Sequence, residues 1–149
     1  MCVALHKGSV VSGSENGTII EHSKSGIVAY RADKVFVGGV EGLCYFPNGS
    51  GLVACGRDGD NLKVFSPSLA FVQNLVGHDD GGEVRCVTVS PSGSHIASGG
   101  DDGKVMIWSE PGEGGEWGRV QVLEDHTDEI YAVCFSPDGK QLATGSYKL

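Results

Sequence analysis

No segment of this 149-residue chain is apolar for long enough to cross a membrane as a helix. The opening run, residues 1–5, gives way to a polar His6-Lys7-Gly8; it is too short for a signal peptide, and Cys2 stands where myristoylation needs glycine. A soluble protein is expected. Basic residues are scarce too, with 11 Lys and Arg against 19 Asp and Glu for a formal charge of −8. Nucleic-acid phosphates and anionic lipids need a Lys/Arg surface that releases counterions, so neither is an expected partner and a basic protein fits better. The five cysteines, Cys2, Cys44, Cys55, Cys86 and Cys134, include no CxxC pair. Odd in number and set in or beside apolar runs, they read as reduced core thiols of an intracellular protein. The cytoplasm is the expected location, with the nucleus as the alternative, and no metal or cofactor is expected.

What the chain has in excess is glycine, 24 residues, set in turns between short apolar runs. With 40% hydrophobic and 20% charged residues, this distribution predicts an all-β protein rich in hairpins. One domain spanning 1–149 is the expectation, since a chain of this size buries about two thirds of its unfolded surface.

Internal repetition decides the architecture. Residues 77–109 hold one complete unit: Gly77-His78, the alternating Val87 and Val89, a Ser-Pro-Ser-Gly turn, a strand over 96–99, an Asp-Asp-Gly turn and a third strand closing on Trp108. Ser98 of that second strand aligns with Ser12, Cys55 and Thr144, successive members being 43, 43 and 46 residues apart. Four units follow, at 2–33, 34–76, 77–123 and 124–149, the last holding two strands only. A polar, glycine-rich insertion over 110–118 reads as a mobile surface loop before a fourth strand at 119–123. Units of four short antiparallel strands at this period cannot bury both faces of a sheet alone, so neighbours must stack.

By these residues the chain resembles the WD-repeat β-propeller family, whose units run Gly-His, Ser-Pro-Asp-Gly, Ser-Gly, Asp and a closing Trp-Asp. The resemblance covers nearly the whole chain and is strongest over 77–109 and 125–146. It implies an incomplete β-propeller of about three and a half four-stranded antiparallel blades, short of the roughly four that closure needs. It also implies a hydrogen-bonded structural tetrad: His78, Ser98, Asp102 and Trp108 in the third unit, with His126 and Thr144 in the fourth. The second unit departs, with Cys55, Gly59 and Phe65 at the Ser, Asp and Trp positions, and the first has Asn16 for Asp and His22 for Trp. Those two are expected to rely on apolar packing. Buried imidazole, hydroxyl and carboxylate groups cost several kcal/mol, by order of magnitude, unless each is bonded, so a complete tetrad fixes register.

Ser98, His78 and Asp102 are also the residue types of a hydrolase triad. Ala97-Ser98-Gly99 lies inside a predicted strand with no nucleophile elbow or oxyanion hole, so the structural reading prevails and no catalytic residue is assigned. Asp58-Gly59-Asp60-Asn61 begins like a calcium loop, but Leu69 stands where a bidentate Glu is required, which makes it a β-turn. The glycines over 112–118 lack the spacing and the following helix of a dinucleotide fingerprint. Trp117 reads either as an exposed anchor for a partner or as a ring folded onto its own blade's outer edge.

In this family the loops leading into each blade and the turns between second and third strands form a top face that often docks partners. By position that face holds Glu15, Glu41, Asp79, Asp80, Glu83, Asp101, Asp128 and Glu129 against Arg57 and Arg85, with Tyr131 beside them. It is either a solvated polar rim or an acidic docking face for a Lys/Arg-rich peptide or protein. The expected function is a non-catalytic protein-interaction scaffold. The alternatives are a propeller-based enzyme and a structural piece completed by further blades or by self-association.

Overall fold

A computed structural model of the chain describes residues 2–57, 61–79, 82–109 and 115–147. Among these residues fourteen strands form four antiparallel sheets and no helix. The first sheet runs β1 (Cys2–His6), β2 (Ser9–Gly13), β3 (Ile19–His22), β4 (Val28–Ala32), in sequence order across the sheet. The second repeats that order with β5 (Val40–Tyr45), β6 (Leu52–Gly56), β7 (Asn61–Phe65) and β8 (Phe71–Val76). The third does so with β9 (Val84–Val89), β10 (His95–Gly100), β11 (Val105–Ser109) and β12 (Gly118–Leu123). The fourth has two strands, β13 (Ile130–Phe135) and β14 (Leu142–Ser146). Repeated four-stranded meanders stacked face to face are the architecture of an incomplete propeller, in line with the all-β expectation.

Side-chain alternation explains the stacking, because each strand sends successive residues to opposite faces. Val11 and Ile19 of the first sheet meet Val40, Leu43, Leu52 and Ala54 of the second in one buried cluster with Phe36. On the other face of the second sheet, Val53, Cys55, Leu62 and Val64 meet Val84, Val89, Ile96, Met106 and Trp108 of the third. The third seam is thinner, with Val105 against Ile130 and Val133 and with Cys86, Ile107, Leu123 and Leu142 around them. Each fully buried Leu, Ile or Phe contributes about 1.5–3 kcal/mol. The sheets therefore hold one another chiefly through these seams.

Gly17 shows how a turn can be fixed twice over. It takes a φ of 77°, and a Cβ there would lie 1.7 Å from the Phe36 carbonyl oxygen, so both conformation and space demand glycine. At Gly99 a Cβ would come within 2.4 Å of Ile130 Cγ2, which is how closely the fourth sheet approaches the third.

The outermost faces lack such cover. Val3 and Leu5 of β1 are 60% and 71% exposed, and on the fourth sheet Ala132, Cys134 and Ala143 face solvent. Cys134 thus departs from the expectation of core thiols: among the described residues no sheet lies against its face of the strand. All five cysteines are free; Cys55 is buried and the other three are half-buried.

Candidate functional site

The third sheet carries a linear hydrogen-bonded chain in its interior. Trp108 Nε1–H donates to Ser98 Oγ at 3.0 Å, and Ser98 Oγ lies 2.8 Å from His78 Nε2. His78 Nδ1 reaches both Asp102 carboxylate oxygens, at 2.9 and 3.1 Å. An indole N–H can only donate and a carboxylate can only accept, so Ser98 Oγ accepts from Trp108 and the imidazole turns an N–H at Nδ1 toward Asp102. Asp102 also accepts from the Asp79 and Lys104 amides at 3.1 and 3.0 Å. Burial pushes its carboxyl up, but the His78 bond and charge with those two amides outweigh this and leave it below its ordinary value. Ser98 is wholly buried, Trp108 and His78 nearly so.

In the fourth sheet His126 Nε2 lies 2.8 Å from Thr144 Oγ1, the same bond at the equivalent place. In the first, Asn16 turns to its own loop, accepting from the Thr18 amide at 3.2 Å and from the Ser14 hydroxyl.

The second feature lies at one end of the sheets and recurs three times. A bulge after the first residue of β5, β9 and β13 leaves Glu41, Arg85 and Tyr131 unpaired in their ladders, re-aiming each side chain. At the same end a backbone clasp joins the turn beyond the second strand to the residue before the first. Arg57 N–H donates to Gly39 at 3.2 Å, Asp101 to Glu83 at 2.9 Å and Tyr147 to Glu129 at 3.0 Å. Three triplets therefore occupy equivalent positions: Gly39, Glu41 and Arg57; Glu83, Arg85 and Asp101; Glu129, Tyr131 and Tyr147.

Charge alternates across them. Arg57 pairs with Glu41 and leans to within 4.0 Å of Glu83 in the next sheet. Arg85 binds Asp101 at 2.6 Å and Glu83 at 2.7 Å, and its guanidinium stands 5.5 Å from the centre of the Tyr131 ring, again in the next sheet. The Asp101 and Glu41 carboxylates hold the Arg85 and Arg57 guanidinium groups above their usual values. Tyr131 hydrogen-bonds Glu129, which raises its phenol, and its ring lies 6.1 Å from that of Tyr147. Lys104 bridges Asp79 and Glu124 at 3.0 and 3.4 Å on the rim.

The structure thus brings together Glu83, Arg85, Asp101, Glu129 and Tyr131. Asp128 lies beside them, its side chain accepting from the Glu129 amide at 2.9 Å. Asp80, Asp58, Gly59 and Asp60 lie outside the described residues, as do 110–114 of the insertion. Trp117 is not part of this group. Its strand β12 has Gly118 opposite Ser109 at one end and Leu123 opposite Val105 at the other, and Val105 is level with the bulged end. Trp117 therefore sits at the far end of the sheets from Arg85. Its half-buried ring is folded down onto the protein, stacking on Phe46 of the neighbouring second sheet at 5.3 Å. Gly118, expected in the loop, begins β12.

Tyr147 escaped the sequence reading. The 46-residue step that carries Ser98 to Thr144 also carries Asp101 to Tyr147 and Arg85 to Tyr131, so the offset held the information. The bulge that makes these positions face outward has no composition of its own.

The described residues hold no group of three or more His, Cys, Asp or Glu placed to bind a metal ion. Burial pushes the Cys86 thiol up to about 11 and Cys55 well above its ordinary value, which keeps both protonated.

The pattern described as "WD domain, G-beta repeat" matches residues 69–109 and 117–148. A protein of Sclerotinia sclerotiorum named "Probable cytosolic iron-sulfur protein assembly protein 1" is 44% identical over 78 residues, covering 49% of this chain and 17% of that protein. Its namesake in Botryotinia fuckeliana is 44% identical over 96 residues, 61% of this chain and 22% of that protein. The chain spans about a fifth of the length of these curated relatives. Repeats matched in phase, stacked four-stranded sheets and the His78–Ser98–Trp108 chain all agree: the protein belongs to the WD-repeat family of β-propellers.

Proposed function

We propose that this chain is part of a non-catalytic protein-interaction scaffold whose bulged end docks a basic peptide or protein. The observation that carries the reading is the clasp repeated in the second, third and fourth sheets, which sets two side chains of the second sheet and three of each of the others on hydrogen-bonded backbone at one end. Such surfaces are suited to recognition by complementary potential. Acid exceeds base there: Glu15, Glu41, Asp79, Glu83, Asp101, Asp128 and Glu129 stand against Arg57, Arg85 and Lys104. The internal pairs refine the surface first inferred from sequence. Glu41, Glu83 and Asp101 are engaged by the two arginines, so the field offered to a partner comes more from the rim and the fourth sheet. A catalytic role for Ser98 is disfavoured by its burial and by its two fixed partners, which leave no approach for a substrate carbonyl.

The name of the two relatives assigns them to the cytosol and to iron–sulfur protein assembly. We carry over the cytosol and a protein partner as part of this proposal.

Titration with octalysine and octaglutamate at several salt concentrations tests the reading. Salt-sensitive binding of octalysine alone is expected, weakened in a Glu83→Lys plus Glu129→Lys variant that keeps its β-sheet circular dichroism. Octalysine binding unchanged by that double reversal, or absent, would overturn it.

A further inference from the structure

The three clasp triplets differ in how their charges are completed. In the third sheet the carboxylate before the first strand, Glu83, receives Arg85 at 2.7 Å and Arg57 at 4.0 Å. Its counterpart in the fourth sheet is Glu129, fixed by the same kind of backbone bond. Among the described residues no Lys or Arg reaches Glu129; the side-chain group that meets it is the Tyr131 hydroxyl. The two positions that in the third sheet hold Arg85 and Asp101 hold Tyr131 and Tyr147 in the fourth, 48% and 73% exposed. A series that alternates carboxylate and guanidinium through two sheets therefore ends on a carboxylate flanked by two open aromatic rings.

We propose that Glu129, Tyr131 and Tyr147 form a seat for an arginine side chain of the docking partner. The proposal rests on the reading of this end as a protein-docking face and assigns the residue that face selects. The chain itself supplies the precedent: the Arg85 guanidinium is gripped by Glu83 and Asp101 and stands over one side of Tyr131. Two of these elements recur one position further round, Glu129 as the carboxylate and Tyr147 as an open ring, which here takes the place of the second carboxylate. A planar guanidinium can bond a carboxylate through two N–H groups while lying flat on a ring. A lysine ammonium matches the charge but neither the fork nor the flat face. Arginine is thus preferred over lysine at equal charge.

The test compares acetyl-(Gly-Arg)4-amide with acetyl-(Gly-Lys)4-amide by NMR titration of the 149-residue chain at fixed low salt. The arginine peptide should bind about two- to fivefold tighter, the range expected of a cation–π contact at an exposed site, and should shift the Tyr131 and Tyr147 ring signals. Tyr147→Ala and Glu129→Gln should each abolish the preference. Tyr30→Ala, on exposed β4 of the first sheet, should leave it intact. Tyr147 is solvent-exposed, and unchanged circular dichroism of its variant confirms that the fold is kept. If both peptides bind equally, or the preference survives Tyr147→Ala, the arginine seat is wrong while the docking face stands. If neither peptide binds, both fall.

Discussion

Gln73 brackets the peptide of Trp117 across a seam between sheets. Its side-chain Nε2 donates to the Trp117 carbonyl at 2.9 Å, and its Oε1 accepts the Trp117 N–H at 2.8 Å. Two neutral hydrogen bonds of about 1 kcal/mol each then hold the indole on Phe46. Gln73→Ala should cost about 1–3 kcal/mol, and Gln73→Glu, which keeps the acceptor and loses the donor, should fall between. Urea unfolding measures both; equal stability of all three proteins would show that the bracket is incidental.

Ser98 and Thr144 occupy equivalent positions with different numbers of partners. Ser98→Ala strands both the Trp108 N–H and His78 Nε2 in the core, at about 1–3 kcal/mol for each buried group left unpaired. Thr144→Ala leaves one imidazole nitrogen at a half-buried site, where water can replace the hydroxyl. The serine substitution should be the more destabilising by at least about 1 kcal/mol in the same assay.

Asp102 makes that chain sensitive to acid. Its carboxyl is lowered in the folded protein, so its contribution is fully present above the unfolded carboxylate value of about 3.9 and disappears as pH falls through the folded value. Stability measured from pH 6 downward, on the order of a few pH units, should decline below about pH 4, and an Asp102→Asn variant should show a shallower decline. Parallel profiles would exclude Asp102. The exposed Asp33 and Asp138, also lowered, are common to both proteins and cancel in the comparison.

Open outer faces predict association of the chain in isolation. Leu5 and Val3 extend from the first sheet where, on the others, Tyr45, Val89 and Phe135 cover a neighbour. Light scattering should find species larger than the monomer, and Leu5→Lys should shift them toward the monomer. A monomeric parent protein would refute this.

Much of the fold could be read from the chain because the repeat ties distant residues to one phase. Ser12, Ser98 and Thr144 lie on second strands at matching registers, opposite Val3, Val87 and Val133; in the second sheet that place falls to Ala54, opposite Leu43, and not to the expected Cys55, because the repeat is offset by one residue there. The His78 chain was legible for the same reason, its residue types standing at fixed offsets. Trp117 was not, because its position depends on Gln73 and Phe46 in another sheet, which no local pattern connects to it. The pairing of Arg57 and Arg85 with the acids was equally hidden: charges can be counted in a sequence, but which of them neutralise one another depends on bulges that leave no compositional trace.

The clasp has a consequence for how such a surface can change. Because Arg57, Asp101 and Tyr147 are each secured through main-chain atoms, their side chains can be exchanged with little penalty to the sheet beneath, as their own differences attest. Recognition is thereby uncoupled from folding at these positions. A lineage could trade an ion pair for an aromatic pair there, and so acquire a new partner, while the buried seams remained untouched.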